Sequence, residues 1–305
     1  METTATSQRK RLPEWLRVQL PAGGAQLAFN GTQGAVQENL LHTVCEEARC
    51  PNLHDCWARG TATFMIAGKE CTRGCRFCSV ETVRQPEPLD PDEPARLAEA
   101  VARMGLTHVV VTVVNRDDLP DGGADHYKHC VVAIHRRLSE TTIELLSSDL
   151  DGNASALAHL LEDCPLSVFS HNVECVPRLD GMVRDPRASF SQSLEVLRRA
   201  KLLRPDLWTK SSLMVGLGET DGEVVEALGR LREASVEMLT LGQYLAPGRP
   251  GTRFVPVERY VTPEQFDQWA EQARGMGFLA VAAGPLVRSS YRAGQLLAEA
   301  GTCAV

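Results

Sequence analysis

The stretch TATFMIAGKECTRGCRFC, residues 61–78, joins a β-branched apolar run to a loop that carries three cysteines. Residues 61–67 are typical of a β-strand. A helical pattern over 91–105 follows, with proline and acids at its start and glycine at its end. The apolar run HVVVTVV (108–114) then predicts a strand buried on both faces. This succession of strand, helix and strand is the unit of α/β proteins, and the cysteine loop follows its first strand.

About six such units succeed one another between residues 61 and 275. Asn153 is expected to cap one of the helices, and Thr220 with Glu223 fits a capping box at another. The pattern agrees equally well with a doubly wound parallel sheet and with an open six-unit barrel. Ligands bind at the carboxyl ends of the strands in both, so the cysteine loop lies on the ligand-binding face. Before residue 61, the segments PAGGAQ (21–26) and NGTQG (30–34) favour turns over regular structure.

Composition excludes several classes of protein. The 305 residues are 43% hydrophobic and 23% charged, which is ordinary for a globular protein. A net charge of -7 argues against a general nucleic-acid binder. No run approaches the ~18 apolar residues of a membrane helix, and the first residues lack the apolar segment of a secretory signal. We therefore expect a cytoplasmic protein with neither nucleic acid nor membrane as a partner.

Six of the ten cysteines lie between residues 45 and 78. In CTRGCRFC, Cys71, Cys75 and Cys78 have the spacing C-x3-C-x2-C. Soft thiolates select iron–sulfur clusters, zinc or copper(I). A structural zinc site, the alternative here, normally closes four ligands, whereas three cysteines on a four-iron cluster leave one iron open for a substrate. Cys130 and Cys164 lie far from this cluster and are interpreted as small buried hydrophobic residues.

A second set, CEEARCPNLHDC, places Cys45, Cys50 and Cys56 at the spacing C-x4-C-x5-C. Again three thiolates are local and no fourth cysteine is near. His54 is a ligand by residue type, with a solvated loop histidine as the alternative. Core packing does not explain two three-cysteine sets within 34 residues, so we predict two separate metal clusters.

The C-x3-C-x2-C loop after a first strand, with Phe77 before its last cysteine, resembles the signature of radical S-adenosylmethionine (SAM) enzymes. The resemblance implies an α/β fold, a partial (β/α)6 TIM-type barrel with N- and C-terminal extensions. It also implies that the open iron binds the amino and carboxylate groups of SAM. One-electron reduction would then release a 5′-deoxyadenosyl radical that removes hydrogen from an unreactive carbon.

The second spacing, together with RSSY at 288–291, is similar to the lipoyl synthase family, as are NRDDLPDGGA (115–124) and HNVECVPRL (171–179). The resemblance implies insertion of two sulfur atoms at C6 and C8 of an octanoyl chain, with two SAM molecules consumed. A [4Fe–4S] cluster on Cys71, Cys75 and Cys78 would cleave SAM. A second, auxiliary [4Fe–4S] cluster, ligated by the other cysteine set and Ser290, would supply the sulfur and be destroyed.

The same resemblance implies four SAM contacts and two kinds of partner. The SAM contacts are Phe77, Asn115, Asn172 and Glu174, although Asn115 stands where the family typically has aspartate. The octanoyl chain is carried on a lysine of a lipoyl carrier domain, in a dehydrogenase E2 subunit or the glycine cleavage H protein. A reductase such as ferredoxin or flavodoxin would supply electrons.

Three domains are predicted. Residues 1–60 form an extension with the auxiliary cluster motif, 61–284 form the radical SAM partial barrel, and 285–305 form a tail with RSSY. Lys210, inside a strand pattern, is expected to face the barrel or to form a structural ion pair.

Two other functions remain open. One is another dual-cluster radical SAM enzyme that inserts sulfur, such as a methylthiotransferase, although 305 residues are too few for the additional domains of that class. The other is a two-cluster electron carrier or scaffold. Such a carrier closes every iron with protein ligands and needs no large α/β body.

Overall fold

One eight-stranded sheet organises the computed structural model, which describes residues 12–17, 23–59, 61–248 and 252–303. The strands follow the order β1-β2-β5-β6-β7-β8-β9-β10, and all neighbours from β2 to β10 are parallel. A separate pair, β3 with β4, lies in the cysteine region. The strands are β1 His42–Thr43, β2 Thr63–Ile66, β3 Glu70–Cys71, β4 Glu81–Thr82, β5 His108–Val113, β6 Thr142–Leu146, β7 Val168–Ser170, β8 Trp208–Val215, β9 Met238–Gln243 and β10 Ala280–Gly284.

Helices connect successive parallel strands. The α-helices are α1 Gly24–Glu38, α2 Val44–Glu47, α3 Leu53–Ala58, α4 Glu93–Arg103, α5 Ala124–Arg137, α6 Ala154–Leu161, α7 Asp180–Val183, α8 Phe190–Leu203, α9 Asp221–Glu233, α10 Pro263–Gly275 and α11 Ala293–Cys303. None of the helices in the described part of the chain is both long and apolar enough to span a membrane. Both predicted caps are confirmed. Asn153 Oδ1 accepts from the N–H groups of Ser155 and Ala156, and Thr220 forms a capping box with Glu223.

The chain order of the parallel strands decides between the two predicted topologies. In a doubly wound sheet the strand order reverses at a switch point. Here β2, β5, β6, β7, β8 and β9 neighbour one another in chain order, and α4, α5, α6, α8, α9 and α10 follow them in turn. Within the described ranges β10 does not pair with β1, so the sheet stays open. The partial (β/α)6 barrel is therefore confirmed, with β10 as a seventh parallel strand.

The prediction of turns before residue 61 is wrong for residues 24–38, which form α1. Phe29 and Val36 of this helix are buried, and the ring of Phe29 stacks on His54 at 5.2 Å and lies 5.3 Å from Trp57. Tertiary packing of this kind commonly outweighs weak local helix propensity. His54 therefore packs against an aromatic ring. Of the segment PAGGAQ, Pro21 and Ala22 lie outside the described residues.

The C-terminal helix α11 packs against the beginnings of the barrel strands. Leu296 and Ala300 form a small apolar cluster with Val168, Met238 and Ala280, which are the first residues of β7, β9 and β10. This cluster is separate from the main core. The amino ends of the strands are therefore covered by α11.

Between α11 and the carboxyl ends lies a buried ion pair. Lys210 Nζ on β8 lies 2.8 Å from Glu144 Oε1 on β6, and both side chains are almost fully inaccessible to solvent. The predicted ion pair of Lys210 is thus confirmed, and it lies between strands that are not neighbours in the sheet.

Candidate active site

A cavity of about 500 Å³ is lined by residues that follow the carboxyl ends of the strands and by both terminal extensions. Five of the six clustered cysteines and the serines of RSSY reach it: Cys45, Cys50, Cys71, Cys75, Cys78, Ser289 and Ser290. The four predicted SAM contacts line the same cavity: Phe77, Asn115, Asn172 and Glu174. The structure therefore brings together residues that are up to 245 positions apart in the sequence.

The first cysteine loop separates the cavity from a cleft on the outer surface. Cys71, Arg73 and Cys75 line the cavity, whereas the alternate residues Thr72 and Gly74 line an outer cleft. Ala67 and Gly68 connect β2 to this loop. Their φ angles of 65° and 88° turn the backbone away from the direction of β2. The thiols of the loop are thereby presented to one side.

Buried charges hold the loop in place. The Arg73 guanidinium donates to Asp117 at 2.8 Å and to Asp149 at 2.6 Å, and it is almost fully buried. Thr72 Oγ1 donates to Asp117 at 2.7 Å. Neither Arg73 nor Asp149 was predicted as a site residue, because nothing in their local pattern shows that they pair across 76 positions.

The second cysteine set lies after β1, with Cys45 on α2, Cys56 on α3 and Cys50 in the connection between these short helices. Thr43 caps α2 by accepting from the N–H of Glu46, and Cys45 is the second residue of this helix. The N–H of Cys50 donates to the carbonyl of Cys45 at 2.9 Å. Cys56 is the one cysteine of this set that does not line the cavity, yet its pKa is raised chiefly by burial and further by the nearby Cys45 and Cys50. The three thiols therefore lie close enough to interact.

Hydrogen bonds attach this extension to the mouth of the barrel. Asn52 Nδ2 donates to the carbonyl of Leu286 at 2.6 Å, just before RSSY. Ser79 Oγ, next to Cys78, donates to the carbonyl of Glu47. The second cysteine set is therefore fixed between the first loop and the C-terminal tail.

The RSSY segment forms a turn, closed by a hydrogen bond from the N–H of Tyr291 to the carbonyl of Arg288. Ser289 and Ser290 face the cavity from this turn. Burial lowers the pKa of Arg288, and the nearby Cys50 opposes that shift. The turn therefore places a hydroxyl and a positive charge beside the second cysteine set.

Burial raises the pKa of several of the clustered thiols. It raises the pKa of Cys45 and of Cys75 to about 11, and that of Cys56 and of Cys78 to about 12. These thiols are protonated at neutral pH unless a cation replaces the proton. Metal binding at either set therefore has to release protons.

The donor set fits iron–sulfur clusters better than single metal ions. In a tetrahedral zinc site, with Zn–S bonds of ~2.3 Å, the sulfur atoms lie roughly 4 Å apart. Among the described residues, only Glu93, His126 and Cys130 place three such ligand atoms within 4.8 Å of one another. Neither cysteine set is that compact, as expected for thiolates that surround a larger inorganic cluster.

The group of Glu93, His126 and Cys130 is a hydrogen-bonded part of the core. Glu93 Oε2 lies 2.6 Å from His126 Nε2 and also accepts from the N–H of Ala67 at 2.8 Å. These hydrogen bonds already use Glu93 Oε2 and His126 Nε2, two of the atoms that would ligate a metal ion. Burial raises the pKa of Cys130, and with Cys164 it is buried as predicted.

Asn172 and Glu174 form the polar side of the cavity. Asn172 Nδ2 donates to Glu174 Oε1 at 3.2 Å, while Asn172 Oδ1 is buried without a hydrogen-bond partner among the described residues. Burial raises the pKa of Glu174. Its φ angle of 67° is rare for a residue with a side chain, and such strain is concentrated at functional sites. Both residues thus have capacity for a polar ligand.

Comparisons with known proteins agree with this geometry. A sequence model of the radical SAM superfamily matches residues 65–231. The solved structure of the FeFe-hydrogenase maturase HydG from Carboxydothermus hydrogenoformans is similar, with a TM-score of 0.56 and 15% identity over 90% of this chain and 68% of that one. Methylornithine synthase (PylB) also gives 0.56, with 12% identity over 85% of this chain and 78% of that one. At these identities the two structures support the fold alone. Fold and site together define a radical SAM enzyme.

A second sequence model, the N-terminal domain of lipoyl synthase, matches residues 2–50. Lipoyl synthase of Halorhodospira halophila is 52% identical over 95% of this chain and 84% of its own length. The mitochondrial lipoyl synthase of Xenopus laevis is 49% identical over 94% of this chain and 77% of its own. The chain belongs to the lipoyl synthase family. It is accordingly an enzyme, a sulfurtransferase that uses SAM and two [4Fe–4S] clusters, and the hypothesis of an electron carrier is rejected.

Proposed function

We propose that this protein converts a carrier-bound octanoyl chain into a lipoyl group, by inserting sulfur at C6 and C8 within the cavity that both cysteine sets share. The observation that carries the proposal is that Cys45 and Cys50, Cys71, Cys75 and Cys78, and Ser290 all line one space of about 500 Å³. A radical formed at one cluster and a sulfur donor at the other need a common substrate channel. Two cysteine sets on separate faces would not allow the reaction.

The first set, Cys71, Cys75 and Cys78, would hold the cluster that binds and cleaves SAM. When bound, SAM and the two clusters supply the one-electron chemistry and the inserted sulfur. The protein's own residues bind and orient SAM. Asn172 Oδ1, which has no partner among the described residues, and the adjacent Glu174 carboxyl are the polar groups available to it. Phe77 and Asn115 line the same cavity and would supply further contacts.

The second set, Cys45, Cys50 and Cys56, holds the auxiliary cluster, with Ser290 as its fourth ligand. A serine oxygen is a harder ligand than a thiolate and binds iron less well. Such a weak link suits a cluster that is dismantled during the reaction. Asn52 supports this assignment, because its hydrogen bond to Leu286 holds the RSSY turn against the extension.

The apolar part of the cavity supports an acyl substrate. Met65, Val113, Leu146 and Met214 line it together with the thiols. An unactivated methylene cannot be deprotonated by any side chain, so acid–base catalysis does not serve here. These apolar side chains instead bind the octanoyl chain and exclude water. They place the reacting carbons, C6 and C8, close to both cysteine sets.

The partners are proposed from the family, whereas the cell compartment is the expectation from the sequence. The substrate is an octanoylated lipoyl carrier domain, of a dehydrogenase E2 subunit or of the glycine cleavage H protein. Ferredoxin or flavodoxin is the proposed reductase. The cytoplasm remains the proposed compartment, and cell fractionation tests it, since several relatives are named as mitochondrial.

Mass spectrometry of an octanoylated carrier peptide tests the proposed function. With SAM and dithionite, the wild-type protein should add two sulfur atoms to the peptide and release 5′-deoxyadenosine. Cys75→Ala should abolish SAM cleavage, because it removes a ligand of the first cluster. Cys50→Ala should retain cleavage and lose sulfur insertion.

Cys303→Ala is the matched control, because this cysteine is exposed and outside both sets. It should behave as the wild type. Lipoyl formation by Cys50→Ala would show that the sulfur donor has been assigned wrongly.

A further inference from the structure

The segment that follows β7 contacts the middle of the first cysteine loop. Three contacts join residues 74–76 to residues 183–185. The N–H of Gly74 donates to Asp185 Oδ2 at 2.9 Å, the N–H of Arg76 donates to the carbonyl of Val183 at 2.8 Å, and the N–H of Asp185 donates to Cys75 Sγ at 3.4 Å. The two segments are about 110 positions apart in the sequence.

Asp185 is held firmly where it makes these contacts. Only 7% of it is exposed. Its Oδ1 accepts from the N–H and the Nε of Arg187, at 3.1 and 2.9 Å. Arg187 in turn donates to the carbonyl of Thr72 at 2.7 Å and to Asp117 at 3.1 Å. Asp185 and Arg187 thus close a network around the outer side of the loop.

On the inner side of this contact lies the thiol of Cys75. Gly74 faces the outer cleft and Cys75 faces the cavity, so the carboxylate of Asp185 fixes one residue while its backbone N–H reaches the next. Hydrogen bonds to ligand sulfur atoms stabilise the more negative, reduced state of a cluster. Groups that orient ligands also determine how tightly the metal is held.

We propose that Asp185 is a positioning residue for the radical SAM cluster, fixing the loop at Gly74 and placing its own N–H against Cys75. The inference rests on the proposed function, because it takes the first cysteine set as the ligands of that cluster. Asp185 acts through the loop and does not touch substrate. It therefore affects the first cluster and leaves the auxiliary cluster unaffected.

The two clusters provide an internal control. In a parent with Cys45, Cys50 and Cys56 changed to alanine, all bound iron belongs to the first set. In a second parent with Cys71, Cys75 and Cys78 changed to alanine, all bound iron belongs to the second cysteine set. Each parent is reconstituted anaerobically with iron and sulfide and should hold about four iron atoms.

Asp185→Ala is then introduced into both parents, and iron loss to a chelator is followed with time. In the first parent the iron should be lost about tenfold faster, as is typical when a group supporting a ligand is removed. The midpoint potential of the cluster should shift to a lower value, since the contact to Cys75 is weakened. In the second parent the rate should be unchanged.

Asp185→Asn is the conservative variant, because its amide oxygen still accepts from Gly74. It should restore most of the iron retention in the first parent. Asp267→Ala, an exposed aspartate on α10, should behave as the parent in both backgrounds.

Equal acceleration of iron loss in both parents would overturn the inference, because it would show general destabilisation. An unchanged rate and potential in the first parent would overturn it as well. Parents that bind no iron–sulfur cluster at all would instead overturn the proposed function, so the two failures are distinguishable.

Discussion

At the scale of single residues, Lys210 and Glu144 show how the barrel tolerates charge in its interior. Their side chains are 1% and 2% exposed, and they lie 2.8 Å apart. Taking either charge out of water is costly unless its partner remains. The pair therefore holds β8 and β6 in a fixed relation beneath the cavity.

Removing one member of this pair should be strongly destabilising. We expect Lys210→Met to lower the free energy of unfolding by about 3–5 kcal/mol, because it leaves the Glu144 carboxylate buried and unpaired. Urea denaturation measures the loss. The double variant Lys210→Met, Glu144→Leu should recover much of it. If the double variant were as unstable as the single one, the unpaired charge would not be the cause.

His108 makes stability depend on pH. Burial, and then the nearby Lys210, lower its pKa to about 4. Its Nδ1 lies 2.9 Å from Thr142 Oγ1, and Glu144 Oε2 lies 3.9 Å from its Nε2. In the unfolded chain its pKa is about 6.5, so between these two values the unfolded state binds the proton and the folded state does not.

Stability should therefore fall as the pH is lowered from about 6.5 to about 4. His108→Gln, which cannot take up the proton, should flatten this part of the profile. Thermal melting measured across the range tests it, with His135→Gln, a partly exposed histidine at the end of α5, as the control. A profile of unchanged slope in His108→Gln would contradict the assignment.

At the scale of elements, α11 covers the end of the barrel opposite the cavity. Its apolar face is narrow, with Leu296 and Ala300 buried against Val168, Met238 and Ala280. The same tail that carries Ser290 into the cavity thus also covers the amino ends of the strands. Because α11 follows the RSSY turn closely in the chain, its packing against the strands helps to hold that turn in position.

Shortening one buried side chain of α11 should test this packing. We expect Leu296→Ala to lower the free energy of unfolding by about 2–5 kcal/mol, through lost burial and the cavity that it leaves. Leu202→Ala on α8, at a residue that is 74% exposed, should change it by less than about 0.5 kcal/mol. Urea denaturation compares the two. Equal effects would show that α11 contributes little to the fold.

At the scale of the whole molecule, the two extensions and the barrel form one site. The second cysteine set is attached by hydrogen bonds to Ser79 and to the segment before RSSY, so neither extension is independent of the barrel. We expect the anaerobically reconstituted wild-type protein to bind about eight iron atoms and a matching amount of sulfide. Elemental analysis measures both. A protein that bound only zinc would contradict the assignment of both cysteine sets.

Features set by neighbouring residues could be predicted from the sequence, whereas contacts between residues far apart in the sequence could not. Thiol spacings are local, so the sequence predicts both cysteine motifs. The four residues proposed to contact SAM come from the family resemblance, and that assignment stays a prediction. Strand and helix periods are local as well, and they predict six βα units. Glycines in 24–38 favour turns, yet α1 forms there because Phe29 packs against Trp57. That contact spans 28 positions and has no local signal.

By itself, the sequence determined the two cysteine spacings from which the metal-ligand prediction is made, since ligand type and spacing are properties of short segments. Only the tertiary structure decided that the barrel is open and that both cysteine sets share one cavity. It alone joined Arg73 to Asp149 and Asp185 to Cys75. The physical reason is that desolvated charges and hydrogen bonds to buried atoms need specific partners. Where those partners come from distant parts of the chain, folding alone brings them together.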